Sequence, residues 1–296
     1  MRTLVLNSLH RINENIEGAE PKILIKDSDG QRKILKMQKK NWSNVYSEHF
    51  ASKFINISGG LAHITELVNV VENTSSSPKT AVLCTDFTEK YGKLSSFQEG
   101  TDSIDTNIGN YGYYFKDILH ILNSYHKVDF IEIEDDFWKM YCFDLILGNF
   151  DRHASNWGIC KSGNMRKFSP LYDNAGCLLP RANFNIMLAP GQTEEEWWWE
   201  RVFIFPRSKI MFETWKRERS NYREVWDSNI IPKKIKDIFK NLDIDSIIHE
   251  LFVGENLISC SQKDFYTRYI KLRYYCIVLN MEYNEALSKT GKELDW

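Results

Sequence analysis

Leu145 to Leu179 reads LILGNFDRHASNWGICKSGNMRKFSPLYDNAGCLL. The stretch carries two acids, Asp151 and Asp173, and an amide, Asn156, five residues after the first acid. Residues that bend the chain follow each acid closely. The pattern D-x-x-x-x-N, followed by D-x-x-G, suits phosphoryl transfer. One carboxylate orients or deprotonates an attacking hydroxyl, while the amide oxygen and the second carboxylate hold magnesium on a triphosphate. On that reading Asp151 is the catalytic base, and Asn156 and Asp173 are metal ligands. Hard oxygen donors suit magnesium, and the stretch has no cysteine or histidine cluster that points to zinc. Taken alone, D-x-x-x-x-N is also an ordinary collection of turn residues.

The flanks favour the first reading. Phe137, Met140, Tyr141, Asp144 and Leu147 recur at helical spacing, which predicts a buried helix over Asp136 to Leu147 that delivers the chain to Gly148. Phe168 to Tyr172 is a short apolar stretch that Pro170 makes an imperfect strand. Helix, loop, strand and D-x-x-G follow the order of parts in the catalytic half of a kinase-like fold.

GNFDRHASNWG followed by FSPLYDNAG resembles the catalytic region of HipA-type serine/threonine kinases, in their short CtkA-like form. The resemblance touches most of the first 210 residues. It implies an α+β, two-lobed protein-kinase-like fold. Residues 1–86 would form a small β-rich N-lobe, and residues 87–296 a larger, mostly helical C-lobe. It also implies a serine/threonine protein kinase that uses ATP and Mg2+. A small-molecule kinase of the same fold and a nucleotide-binding pseudokinase remain as alternatives. The family includes toxins restrained by a small antitoxin-like protein and forms delivered into host cells, so the resemblance extends to such partners. It also suggests that the chain lacks the extra N-terminal portion of the longer members.

Further pieces fall in the family's order. Gly18, Ala19 and Lys22 stand where these kinases carry a loop over the ATP phosphates; from their own chemistry they are a loop before a strand. Members of the family carry a serine before this loop whose autophosphorylation switches the enzyme off. Residues 12 to 17 read INENIE, so no such switch is expected here. Two alternating runs flank Asp29-Gly30 and predict a hairpin. Lys36 in its second strand is either an exposed strand lysine or the phosphate-binding lysine, paired with Glu48 on a helix from Ser43 to Ile57. In the family, His153 and Asn156 line the nucleotide site. By position, Leu83, Cys84 and Thr85 are the hinge against which adenine rests. Arginine and histidine follow Asp151 instead of preceding it, which leaves open how the loop is braced.

Composition constrains the rest. At 296 residues with 43% hydrophobic content, the chain can build an ample core. A net charge of −2 gives no electrostatic case for nucleic acid or an anionic membrane. No signal peptide or membrane-length apolar run is evident, and six scattered cysteines without C-x-x-C read as reduced thiols in a cytoplasmic protein. Glu89 to Tyr111 reads as an irregular surface segment. Tyr113 to Tyr125 reads as a core-facing helix, with His120, like the following His126, a surface or packing residue. Trp197, Trp198 and Trp199 cannot all point inward. They read either as a long loop packed on the core or as a partner surface. The last part is helical: Pro232 to Leu242, Asp245 to Phe252, and a helix opened by a Ser261/Asp264 capping box and running to about Ser288.

Overall fold

The computed structural model describes residues 1–12, 22–73, 76–102, 114–125, 130–211 and 219–290. Gly18, Ala19, the hydroxyl-free stretch before them and His126 lie outside the described residues.

The N-terminal part is a sheet built from β1 (Thr3–Val5), β2 (His10–Arg11), β3 (Lys22–Lys26), β4 (Arg32–Met37), β5 (Thr65–Val71) and β6 (Lys79–Thr85). Between β4 and β5 stands α1 (Asn44–Ile57). The strand order is β1-β5-β6-β4-β3-β2, so the first two strands of the chain sit on opposite edges. Laid flat, six strands would separate those edges by about 24 Å. The chain from Val5 to His10 spans at most about 17 Å. The sheet therefore curls until its edges approach. Leu4, Leu6 and Leu9 of this strap cover a small core of Ile25, Leu35, Val68, Val70, Ala81 and Leu83.

The expected β3–β4 hairpin forms around Asp29 and Gly30, with Gly30 at φ +79° and Asp27 Oδ1 accepting from the amides of Asp29 and Gln31. Its register sets Lys22 opposite Lys36.

The segment from Glu89 departs from the irregular expectation. It forms α2 (Thr88–Tyr91), β7 (Lys93–Ser96) and α3 (Phe97–Asp102), and β7 joins β8 (Gly158–Ser162) and β9 (Met165–Phe168) in a second sheet. Polarity concealed this strand, because it pairs through its backbone with residues far along the chain.

Next come α4 (Phe115–Tyr125) and α5 (Phe130–Leu147). The latter is the centre of the molecule. Phe137, Trp138, Met140, Tyr141, Cys142 and Leu145 to Leu147 are all buried, which is the pattern of a helix surrounded by others.

The tryptophan segment is a helix, α6 (Glu194–Phe203), not a loop. Thr193 and Glu196 cap it reciprocally: the Glu196 amide donates to Thr193 Oγ1 at 3.2 Å and the Thr193 amide to Glu196 Oε2 at 2.8 Å. Consecutive helical residues are about 100° apart, so two of three can face a core. Trp197 and Trp198 are buried and Trp199 is 43% exposed.

The last helices are α7 (Tyr222–Asp227), α8 (Lys233–Lys240), α9 (Ile244–Phe252), α10 (Cys260–Arg273) and α11 (Tyr283–Thr290). Two expectations need correction. The capping box of α10 is Ser259 with Gln262, two residues before the Ser261/Asp264 pair. The helix also does not run through to Ser288. It widens into a π-turn over Tyr274–Val278 and breaks at Asn280, which takes the left-handed conformation that asparagine tolerates. All six cysteines are free thiols, and five are buried. Among the described residues no helix is long and apolar enough to cross a membrane.

Candidate active site

The loop after α5 is held by one buried cation. Asp144, the acid on the otherwise apolar helix face, receives Arg152 through two bonds, Nε to Oδ2 and Nη2 to Oδ1, both 2.9 Å. Arg152 Nη1 donates to the carbonyls of Asn156 at 2.8 Å and Tyr172 at 2.7 Å, and Nη2 donates to Asn174 Oδ1 at 2.7 Å. All five guanidinium N–H groups thus have acceptors, which is what a fully buried arginine requires. Burial opposes its charge, but Asp144 outweighs burial and holds the guanidinium protonated well above its usual range.

Through that single side chain the D-x-x-x-x-N loop and the approach to D-x-x-G are tied together. Asn149 adds a second tie: its Nδ2 donates to Asp144 Oδ1 and its Oδ1 accepts from the Asp151 amide, each at 2.9 Å. Tyr222 Oη donates to the Asn149 carbonyl at 2.5 Å. Asn174 Nδ2 reaches Ser52 Oγ on α1 at 2.9 Å.

Two glycines make this close approach possible. Gly148 has φ +63°, and a Cβ there would meet Tyr269 Oη at 1.8 Å. A Cβ on Gly176 would lie 2.6 Å from Asn149 Oδ1 and 2.9 Å from Asp151 Cβ. The glycine of D-x-x-G is therefore the surface on which the D-x-x-x-x-N loop rests.

Asp173 takes the left-handed conformation at φ 53°, ψ 49°. Its carboxylate receives two ammonium groups from the facing hairpin, Lys22 Nζ at 3.2 Å and Lys36 Nζ in close contact with Oδ1. Lys36 also lies 3.2 Å from Glu48 Oε2, and the other Glu48 oxygen lies 2.7 Å from His63 Nε2. Burial pulls the Lys36 pKa down, yet Asp173 and Glu48 overcome it and raise it well above 10.5. Burial likewise pushes Glu48 up, and Lys36 and then His63 reverse this, bringing it to about 2. Asp173 is lowered for the same reason, by Lys36 and Lys22 against burial.

Glu48, His63 and Cys84 approach within 4.8 Å of one another. Burial pushes the Cys84 thiol far up, and Glu48 is already held by Lys36, so the trio reads as packing around the ion pair.

The sequence-based candidates divide cleanly. Lys22, Lys36, Glu48 and Asp173 meet in one cluster. Asp151, His153 and Asn156 stand on the adjoining loop, where Asn156 Nδ2 donates to the Asp151 carbonyl at 2.9 Å. That bond leaves the amide oxygen as the atom Asn156 can offer a cation.

Leu83, Cys84 and Thr85, the residues expected at the hinge, lie within β6. β6 lies between β4 and β5, and the Thr85 amide already donates to Ile64 O at 2.8 Å and the Asp86 amide to Arg32 O at 3.0 Å. The main chain leaves the sheet after Asp86.

Asp144, Asn149, Arg152, Asn174, His63 and Lys209 escaped the sequence reading. Asp144 carried a signal, an acid among apolar residues at helical spacing. Lys209, whose Nζ lies 2.5 Å from Asp151 Oδ1, carried none.

The family model described as the HipA-like C-terminal domain matches residues 15–226. The chain belongs to this family. It is similar to the serine/threonine-protein kinase CtkA of Helicobacter pylori strain J99, with 26% identity over 231 residues, 70% of this chain and 67% of that protein. The crystal structure of a Helicobacter pylori proinflammatory kinase CtkA superimposes with a TM-score of 0.77 over 99% of both chains at 21% identity. The fold of the HipA-like chain, including the helices after residue 226, is therefore the two-lobed kinase-like fold of that structure. HipA from a Shewanella oneidensis toxin–antitoxin complex with HipB and operator DNA gives a TM-score of 0.44 and 12% identity, over 95% of this chain and 63% of that one.

Proposed function

We propose that this chain is a kinase that transfers the γ-phosphoryl group of magnesium-bound ATP to a serine or threonine hydroxyl of a protein. The observation that carries the reading is the convergence of Lys22 and Lys36, cross-strand neighbours on the hairpin, upon Asp173 beside the Asp151 loop. Two ammonium groups at this spacing match a polyphosphate. The donor set also fits the cation: the Asp173 carboxylate and the Asn156 amide oxygen are hard ligands. Bound there, magnesium would neutralise charge on the triphosphate.

The residues divide the work. Lys36, held by Glu48, and Lys22 would bind phosphate oxygens, and Asp173 with Asn156 would hold the cation. Asp151 receives the acceptor hydroxyl. The bond from that oxygen to the γ-phosphorus forms, the bond from phosphorus to the β–γ bridging oxygen breaks, and ADP leaves with the electron pair. The hydroxyl proton passes to Asp151. Arg152 touches none of the reactants and keeps the two loops in register. Residues 1–86 act in this scheme as the lobe that clamps nucleotide, and residues 87–296 carry the reacting groups. Protein as acceptor class follows the named activity of CtkA.

The test is transfer of radiolabelled γ-phosphate to casein and to the chain itself, with and without magnesium, alongside Asp151→Asn. Magnesium-dependent labelling that the variant loses supports the reading. Nucleotide-dependent thermal stabilisation with no transfer to any acceptor overturns it in favour of a binding protein.

A further inference from the structure

Positive charge aimed at the transferring phosphoryl group, on its acceptor side as well as its nucleotide side, stabilises the transition state. The catalytic loop itself supplies none. Between Asp151 and Asn156 it reads Arg152, His153, Ala154, Ser155. Arg152 is sealed in the interior with every N–H engaged. His153 is half-buried, and an imidazole is not a fixed cation near neutrality.

Lys209 comes from the segment after α6. Its backbone is firmly seated: Ser208 is buried and its amide donates to Ser220 O at 2.9 Å, while its Oγ accepts from the Ile210 amide at 3.1 Å. Ile210 is buried, and Met211 pairs with Tyr114. The side chain that projects from this anchored backbone is 30% exposed and ends 2.5 Å from Asp151 Oδ1.

An acceptor oxygen must come within about 2.6–3.2 Å of the Asp151 carboxylate. An ammonium on the same carboxylate then lies within roughly 6–8 Å of the acceptor oxygen. A lysine turns through such a distance by changing rotamer.

We propose that Lys209 is a catalytic residue of this site, whose ammonium moves from Asp151 onto the oxygens of the transferring phosphoryl group. This rests on the kinase reading above. Lys209 exchanges no proton and forms no covalent bond. It holds Asp151 oriented before the hydroxyl arrives and then neutralises charge on the acceptor side. The fold thereby imports from a distant segment a cation that the catalytic loop does not carry.

The test compares wild type, Lys209→Met and Lys209→Arg as full chains, measuring kcat and KM for ATP with casein as acceptor. We expect Lys209→Met to lower kcat by about a hundredfold or more, with KM for ATP within about twofold of wild type. Lys209→Arg keeps the charge and recovers part of the rate. Equal thermal midpoints establish that the variants fold, and Lys209→Gln substitutes if the methionine variant does not. An unchanged kcat in Lys209→Met overturns the proposal. So does a raised kcat, which would make the contact a brake, or a loss confined to KM. If the wild type transfers no phosphate to casein or to itself, the kinase reading falls and this inference with it. If the wild type is active and Lys209→Met equals it, this inference falls alone.

Discussion

Two carboxylate–cation clusters stand a few residues apart in this site and behave differently because of where they sit. Arg152 and Asp144 are closed off from water, at 0% and 2% side-chain exposure, with every donor of the guanidinium assigned. Lys22, Lys36 and Asp173 meet at the lobe boundary, where the Asp173 side chain keeps 22% of its surface exposed and shares two ammonium groups. The first cluster has no spare valence and no route for a ligand. The second has a part-exposed carboxylate that shares two cations, and one of those cations has a second acid, Glu48, beside it. Like chemistry thus makes a frame in one place and, on the proposed reading, a binding device in the other.

The widest separation between them comes from neutralising an acid on the open side. Asp173→Asn keeps the shape of the side chain, and asparagine tolerates the left-handed backbone that residue 173 adopts. Lys36 retains Glu48. We expect the thermal midpoint to fall, but by less than for Arg152→Met because Lys36 keeps Glu48, and phosphoryl transfer to fall by about a thousandfold or more, as for Asp151→Asn, read from kcat at saturating ATP. A collapse of the fold in Asp173→Asn would erase the distinction between device and frame.

On the closed side the effect moves from rate to stability. Arg152→Met leaves Asp144 buried without its partner, a change that costs about 3–5 kcal/mol in comparable buried pairs. Denaturant unfolding should show it. The double variant Asp144→Leu with Arg152→Met removes both charges and should regain much of that loss, because no orphaned ion remains. Activity should not return with it, since the carbonyls of Asn156 and Tyr172 then lose their common donor.

Acid titration distinguishes the open cluster further. Glu48 is lowered to about 2 in the fold: burial alone would raise it, and Lys36 and His63 override burial. A depressed carboxylate contributes stability that is present above its unfolded pKa, near 4.3, and lost as pH falls toward the folded value. The stability gap between wild type and Glu48→Gln should therefore be largest near neutrality and close between about pH 4.5 and pH 2. A gap that stays constant over this window would mean the Lys36–Glu48 pair carries no linkage.

The open cluster was legible in the sequence and the frame was not, for a physical reason. Asp151, Asn156 and Asp173 lie in one segment at a spacing the chemistry demands, and Lys36 and Glu48 sit on neighbouring elements of strong local pattern. The frame joins side chains whose roles depend on burial. Arg152 looks like a surface arginine until the five acceptors around it are known. Lys209 reaches Asp151 only through the chain's return after α6. Local periodicity located α5 and the hairpin but missed β7, whose polar residues pair through backbone alone. In the tryptophan run the helix signal lies in the Thr193/Glu196 capping box just before the three rings, not in the rings themselves.

The smallest expected effect concerns the same two loops that Arg152 ties. On their outer side Tyr172 Oη donates to the Ser155 carbonyl at 2.9 Å, next to solvent. This bond also joins the approach to D-x-x-G with the D-x-x-x-x-N loop. If connection between the loops were what mattered, removing it would approach the cost of removing Arg152. If burial decides, water replaces the hydroxyl as donor, and Tyr172→Phe should cost no more than about 1 kcal/mol in denaturant unfolding. The ring keeps its packing against Phe87, with centroids 5.6 Å apart, so the comparison isolates the hydrogen bond. A loss for Tyr172→Phe as large as that for Arg152→Met would show that the loops are held by their number of ties rather than by the one sealed from water.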